Sequence, residues 1–496
     1  MAIVLVGRER ERQILARVWK SHGPEFVALH GRRRVGKTFL IREFFKGKGI
    51  YFEATGEKDA PYHEQLENFT KSIEATFSQD VPLKRPVSWK EAFSLLTKYV
   101  RKIPKRKKII IFLDELPWMA VKRTGLIQGL DYFWNTQWSQ CANLKLIVCG
   151  SAASWMLENL IYARGGLYNR LTHIINLRPF SLNETKEFLL SRGIKLKEKQ
   201  ICDLYIVIGG IPHYWKFIEK GKSVVQNITD LCFQKDGLLF NEFALVFRSL
   251  FDRFQVHESI IRAIAKKING ISREGLLNTL GINSGGSFKK RLDELEASGF
   301  IEVFISFGRR KKDYFVKITD EYTLFYLYWI DAIKNKRTIG ENKNYWLTKC
   351  KGPVWEIWAG YAFESICHKH KNEILHALSL ESVGGEIGTW RFLPKKGSNE
   401  KGAQIDLLID RSNNAITLCE IKYSDSLFLV DKKYAKELKD KIEVFEERCS
   451  PKKEVFLSMI TTMGIKRSIW TEDLIASEVI LSDLFRVLTK TPDNQS

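Results

Sequence analysis

Residues 31–38 read Gly31-Arg32-Arg33-Arg34-Val35-Gly36-Lys37-Thr38, two glycines bracketing four residues, with a lysine and a hydroxyl directly after. This spacing suits phosphate chemistry. The glycines let backbone N–H groups wrap an anion, the lysine reaches the β- and γ-phosphates, and the threonine hydroxyl binds Mg2+. The expected ligand is ATP with Mg2+, cradled by Gly31, Arg34, Val35, Gly36, Lys37 and Thr38. A second pair, Asp114-Glu115, closes the apolar run IIIFLDE. Asp114 is expected to hold the Mg2+ shell and Glu115 to orient and deprotonate the attacking water. A third constellation is Asp406 in AQIDLLID, followed fourteen residues later by Glu420-Ile421-Lys422. Two-residue periodicity puts Glu420 and Lys422 on one strand face, and a hairpin brings Asp406 alongside. Neighbouring carboxylates repel unless a divalent cation neutralises them. Asp406 and Glu420 are therefore expected to hold a further Mg2+, with Lys422 positioning or activating water. Glu364, in the helical stretch GYAFESICHKH, is another carboxylate candidate.

These groups need elements to hold them. FVALH at 26–30 predicts a strand before the glycine loop, and FLIREFF predicts a helix after it. Further strands are expected at 107–116, 144–151 and 173–180, with helices at 64–78, 89–102 and 127–139 between them. Alternating strands and helices argue for a parallel sheet covered on both faces. From 181 the pattern turns helical, opening on a capping box at Ser181 and Glu184. Helices at 257–269, 272–280 and 286–299, then the strand pair FIEVFIS and DYFVKIT, read as a winged helix. Ser287, Lys289, Lys290 and Arg291 would face a duplex, and Arg309, Arg310, Lys311 and Lys312 would form the wing tip. Asp293, Glu294 and Glu296 on the same helix keep a protein-binding role open. Past a polar boundary at 335–352 come a helix at 353–371 and strands at 386–392, 404–410 and 415–422. A Lys-rich helix at 431–447 and a strand at 453–460 complete the chain's pattern. The fold class is α/β. The expected units are a P-loop core at 1–180, a helical lid at 181–254, a winged helix at 255–334 and a C-terminal α/β domain at 345–488.

The bulk properties limit the partners. Lys and Arg number 79 against 58 Asp and Glu, a formal charge of +21. A positive field of that size points to nucleic acid, with DNA the expected form. The eight cysteines form no CxxC pair, so neither a disulfide framework nor a zinc ribbon is expected. The opening MAIVLVGRERER charges too early for a signal peptide, and no apolar run approaches the ~20 residues that span a bilayer. A cytoplasmic protein without a membrane partner is expected.

The motifs VGRERERQIL, GRRRVGKT, FLDELPW, CGSAASW, GGLYNRL and GGIPHYW together resemble the archaeal-type ATPases, in the signal-transducing branch of the AAA+ superfamily. The resemblance covers about the first half of the chain. It implies that Ser151 occupies the sensor-1 position, that Arg8 and Glu9 sit near the adenine, and that Arg170 is an arginine finger acting across a homo-oligomer. A surface role for Arg170 stays open. The Asp406, Glu420 and Lys422 arrangement resembles the PD-(D/E)xK nucleases over about residues 350–480, although Gln404 and Ile405 stand where that motif has its proline. The two resemblances imply an ATP-hydrolysing, DNA-binding protein with a Mg2+-dependent nuclease domain in nucleic-acid processing or defence. The rival reading is an ATP-controlled signalling or oligomerisation switch with a non-catalytic C-terminal binding domain.

Overall fold

Runs such as EFVALH and LKLIVCG put apolar side chains on both strand faces, and such strands are stable only between two layers of helices. In the computed structural model, β1 (Glu25–His30), β2 (Ile50–Thr55), β3 (Ile109–Asp114), β4 (Leu144–Gly150) and β5 (His173–Asn176) form one parallel sheet. Its strand order is β2-β3-β4-β1-β5. Every residue of β1, β3 and β4 is buried. The structure describes residues 5–78, 82–162, 167, 169–251, 253–283, 285–309, 313–334, 344–394, 397–398 and 400–488. β2 is the strand the sequence pattern did not mark, because as an edge strand it alternates only in part between buried and exposed. β5 stops four residues earlier than expected. Leu177 still donates to His30 O at 2.8 Å, but Pro179 has no N–H to continue the ladder.

Helices Leu182–Ser191, Glu198–Ile208 and Val224–Cys232 pack beside this sheet. The Ser181 capping box is present, with Ser181 Oγ accepting from Glu184 N. Next come helices Phe254–Ala265, Arg273–Leu280 and Gly286–Ala297 with an antiparallel sheet of β6 (Ile271–Ser272), β7 (Ile301–Phe304) and β8 (Phe315–Ile318), ordered β6-β8-β7. Arg309 is exposed at the β7–β8 turn, whereas Arg310, Lys311 and Lys312 lie outside the described residues. The face expected to meet a duplex is partly engaged within the molecule. Lys290 pairs with Glu158 at 3.3 Å and Arg291 with Glu294 at 2.6 Å, leaving Ser287 and Lys289 exposed.

The C-terminal unit opens with helix Pro353–Lys369. Then β9 (Gly385–Phe392), β10 (Ala403–Arg411) and β11 (Ala415–Lys422) run antiparallel. After the short β12 (Phe428–Leu429), helix Lys432–Cys449 crosses to β13 (Glu454–Thr461), parallel to β11. β14 (Ile465–Lys466) pairs with β12, and β15 (Ser477–Ile480) completes the order β15-β13-β11-β10-β9.

The units are tied by buried polar contacts. The Arg32 guanidinium pairs with Asp320, and each side chain is only 4% exposed. Lys369 of the first C-terminal helix pairs with Glu321 at 2.5 Å. His370 Nε2 accepts from Leu182 N at 3.1 Å, so the imidazole is neutral, as burial dictates by pushing its pKa down to about 4. Lys199 reaches Asp425 at 2.6 Å and the Tyr423 hydroxyl at 2.8 Å.

Candidate active site

The glycine loop follows the carboxyl end of β1, where ligands of open parallel sheets bind. Gly31 adopts φ 150°, and a Cβ there would stand 2.3 Å from Leu177 O, so only glycine lets the loop lie against β5. Arg34 (φ 69°) and Gly36 (φ 94°) turn the chain through the left-handed region and aim the loop at the start of helix Lys37–Phe45. That positive helix end faces the loop. Lys37 is buried, and its ammonium donates to Gly31 O at 3.0 Å and Arg32 O at 3.1 Å. The lysine is thus folded back on its own loop, held by weak neutral acceptors that a phosphate would outcompete.

Two neighbouring strand ends supply the oxygen groups. Thr38 Oγ1 donates to Asp114 Oδ2 at 2.7 Å, and Asp114 Oδ1 accepts from Glu115 N at 3.0 Å. A hydroxyl and a carboxylate, both hard oxygen donors, therefore meet beside the loop, a pair that fits Mg2+. Glu115 sits at φ 47°, and its Oε2 accepts from Ser151 N at 3.0 Å and Ser151 Oγ at 2.9 Å. Ser151, the residue expected at the sensor-1 position, thus engages the glutamate. Beyond the loop opens a pocket of about 280 Å3. Lys37, Thr38 and Glu115 line one side; Phe180, Phe188 and His213 line the other.

Residues 5–216 match the family model described as an ATPase domain predominantly from Archaea. That stretch is similar to archaeal-type ATPase domains. An uncharacterized protein of Methanocaldococcus jannaschii is 24% identical over 430 residues, covering 85% of this chain and 88% of its own length. An uncharacterized ATP-binding protein of the same organism is 42% identical over 48 residues, 10% of this chain and 81% of that protein. Among solved structures, a Walker-type ATPase of Pyrococcus abyssi is 20% identical with a TM-score of 0.47, covering 65% of this chain and 96% of its own.

Within this stretch Arg8 and Glu9 lie in different surroundings. Glu9 is not among the residues lining the pocket; it is exposed at the start of helix Glu9–Lys20 and pairs with Arg12 at 2.6 Å. Arg8 does line the pocket, but its guanidinium is committed to Arg178 O at 2.7 Å and Val35 O at 3.1 Å and lies over the Phe180 ring. It braces the loop. Arg170 is exposed on a turn and does not line the pocket of its own chain. Phe188 and His213 escaped sequence reading because they come from the following helices, 150 and 175 residues beyond Thr38 in the chain. We expect Lys37→Ala to weaken ATP binding by an order of magnitude or more, since it removes the cation facing the β/γ charge. Fluorescent-nucleotide titration reads this directly.

The C-terminal constellation assembles only in part. Leu407 pairs with Cys419 across β10 and β11, which sets Asp406 beside Glu420. Asp406 Oδ2 accepts from Ile421 N at 3.0 Å, and Gln404 Nε2 donates to Oδ1 at 3.3 Å. Burial and then Glu420 push the Asp406 carboxyl up to about 6. Burial and Asp406 push Glu364 well above the usual carboxylate range. Glu420 behaves oppositely: burial would raise it, but Lys422 at 2.9 Å and Lys441 at 2.7 Å hold it below that range. The Tyr434 hydroxyl donates to Glu420 Oε1 at 2.8 Å.

The expected Mg2+ site on Asp406 and Glu420 is therefore not assembled in this conformation. Among the described residues no group of three or more His, Cys, Asp or Glu side chains is placed to hold a metal ion. The physical reason is competition, because two ammonium groups and a phenol already occupy the oxygens of Glu420. Sequence spacing missed Tyr434 and Lys441, although their seven-residue separation places them on one helix face. A further group comes from another unit. A pocket of about 60 Å3 is lined by Glu364 and Asp406 together with Lys317 of β8. The β7–β8 connection is latched there, with Phe307 N donating to Thr389 O of β9 at 2.8 Å.

Proposed function

We propose that the protein binds and hydrolyses ATP and that its nucleotide state governs how its C-terminal units engage DNA. The single observation carrying this reading is that Lys37, Thr38 and Glu115 line one pocket, with Asp114 hydrogen-bonded to Thr38 and to the Glu115 amide. Lys37 leaves the loop carbonyls for the β- and γ-phosphates. Thr38 and Asp114 are the residues that would hold Mg2+, whose positive charge offsets the charge on the transferring phosphoryl group. Glu115, once released from Ser151, orients the attacking water and accepts its proton. Arg170, exposed as it is, would complete a neighbouring pocket in a homo-oligomer. Steady-state phosphate release with ATP and Mg2+ tests the reading, and no turnover above that of Lys37→Ala would end it.

For the later units we propose a winged helix that contacts DNA and a nuclease-type domain. Supporting the first is the run of three helices and an antiparallel hairpin with exposed Arg309. Supporting the second is the order helix, β9, β10, β11, helix, β13, with Asp406 on β10 and Glu420 and Lys422 on β11. As they stand, the oxygens of Glu420 are engaged by Lys422, Lys441 and Tyr434 and do not fit a metal. The lysine-filled state instead favours a site at rest, with Lys317 supplying positive charge to the pocket of Glu364 and Asp406. Lys317→Met removes that charge without emptying the volume. Mn2+ calorimetry is expected to show C-terminal metal binding at least ten-fold tighter in this variant, and plasmid nicking should rise with it. If neither wild type nor Lys317→Met binds Mn2+ outside the ATPase pocket, the nuclease reading falls. The saturation of Glu420 then supports the second reading, an ATP-controlled switch with a C-terminal binding module.

A further inference from the structure

The charge of +21 is unevenly spread. Residues 84–108 hold ten Lys and Arg against Glu91 alone, a surplus of nine within about one-twentieth of the chain. In helix Trp89–Lys102, Lys98, Arg101 and Lys102 stand at i, i+3 and i+4 and share one exposed face. The loop leading to β3 adds Lys105, Arg106 and Lys107, all exposed. Lys107 N donates to Pro104 O at 2.8 Å, which closes the loop into a turn. Lys108 Nζ donates to Ser21 O at 3.1 Å and fastens that turn to the end of helix Glu9–Lys20, where Lys20 is also exposed.

Among the described residues, none of Lys98, Arg101, Lys102, Lys105, Arg106 and Lys107 forms an ion pair with a carboxylate. Cations are favoured at a helix carboxyl end, which accounts for Arg101 and Lys102. It does not account for three more in the loop, which repel one another and gain nothing from the helix. Nor do they serve the nucleotide. The glycine loop follows the carboxyl end of β1, whereas this ledge precedes the amino end of β3 in the same parallel sheet. The two lie at opposite sheet ends, separated by a six-residue strand of about 20 Å.

We propose that this ledge is a docking surface for the phosphate backbone of duplex DNA, separate from the winged helix. Charge complementarity selects the partner. Closely spaced, unpaired cations match a polymer carrying a phosphate at every step, and each contact releases condensed counterions. An anionic membrane suits the surface less well, because residues 98–108 expose no large apolar side chain to enter a bilayer. Binding here is sequence-independent, since only phosphates are met. The inference rests on the reading of DNA as a partner.

The test uses the full chain with Arg101, Lys102, Lys105, Arg106 and Lys107 replaced by Gln, beside an Arg309→Gln variant. Anisotropy with a short labelled duplex is followed across salt concentrations, and fluorescent-nucleotide binding serves as the folding control. The five-Gln variant is expected to bind duplex at least ten-fold more weakly at low salt, with a log–log salt slope shallower by about 4 and unchanged nucleotide affinity. Equal affinity and slope in wild type and the five-Gln variant, with loss only in Arg309→Gln, would overturn the ledge and leave the winged-helix reading intact. No duplex binding by wild type would overturn both. Loss of binding to phosphatidylserine vesicles without loss of duplex binding would also overturn the proposal.

Discussion

Glu115→Gln is expected to bind ATP with close to wild-type affinity while hydrolysing it at least about a hundred-fold more slowly, the usual scale for loss of a positioned base. The amide keeps the shape of the side chain and leaves Thr38 and Asp114 untouched, so the phosphate cradle persists. It cannot accept the water's proton. Ser151→Ala makes the companion test. In the resting arrangement the Ser151 hydroxyl and amide both donate to Glu115 Oε2. Removing the hydroxyl frees the carboxylate in part and should alter turnover without altering nucleotide affinity. Single-turnover phosphate release alongside equilibrium binding separates the two effects. A Glu115→Gln enzyme turning over at the wild-type rate would remove Glu115 from the mechanism.

The second large effect concerns stability. Arg32 lies inside the glycine loop, yet its guanidinium is spent on Asp320, and it also lies over the Phe300 ring. Both charges are buried, so Arg32→Met strands the Asp320 carboxylate. Breaking one side of a buried pair costs about 3–5 kcal/mol. Asp320 also caps the helix that follows it, accepting from Thr323 N at 2.9 Å. The double variant Arg32→Met with Asp320→Asn keeps that cap and removes the stranded charge, so it should recover most of the loss. Thermal unfolding checks both. Equal melting temperatures for wild type and Arg32→Met would show that the pair contributes nothing. Lys37 donates to the carbonyl of Arg32, so the glycine loop and the chain after β8 are joined through this pair.

The ATPase half was legible because its chemistry is local. Gly31 to Thr38 is one continuous segment whose residue types are dictated by backbone conformation and by phosphate geometry. Asp114 and Glu115 follow a strand that reads as apolar on both faces. Strand, loop and helix are set by neighbours within about ten residues, and such patterns survive in the sequence. The same holds for β10 and β11, where strand periodicity in AQIDLLID and ITLCEIK is enough to set Asp406 beside Glu420. The chain also announced its charge, although the concentration at residues 98–107 emerges as a surface only when the helix end and the turn lie side by side.

Tertiary structure decided what those groups do to one another. Glu115 meets Ser151 because β3 and β4 are adjacent in the sheet, and no spacing between residues 115 and 151 encodes adjacency. Lys441, Tyr434 and Lys317 reached the C-terminal carboxylates from a crossing helix and from a separate hairpin, and Lys441 and Tyr434 share the oxygens of Glu420. Arg8 lines the pocket while its neighbour Glu9, the first residue of the helix, does not. Electrostatic partners act across space at 3 Å, whatever their distance along the chain. The sequence by itself therefore determined which chemical groups this protein carries and on which elements they sit. Only the packing of those elements decided which charge each group faces, and so which groups are free to act.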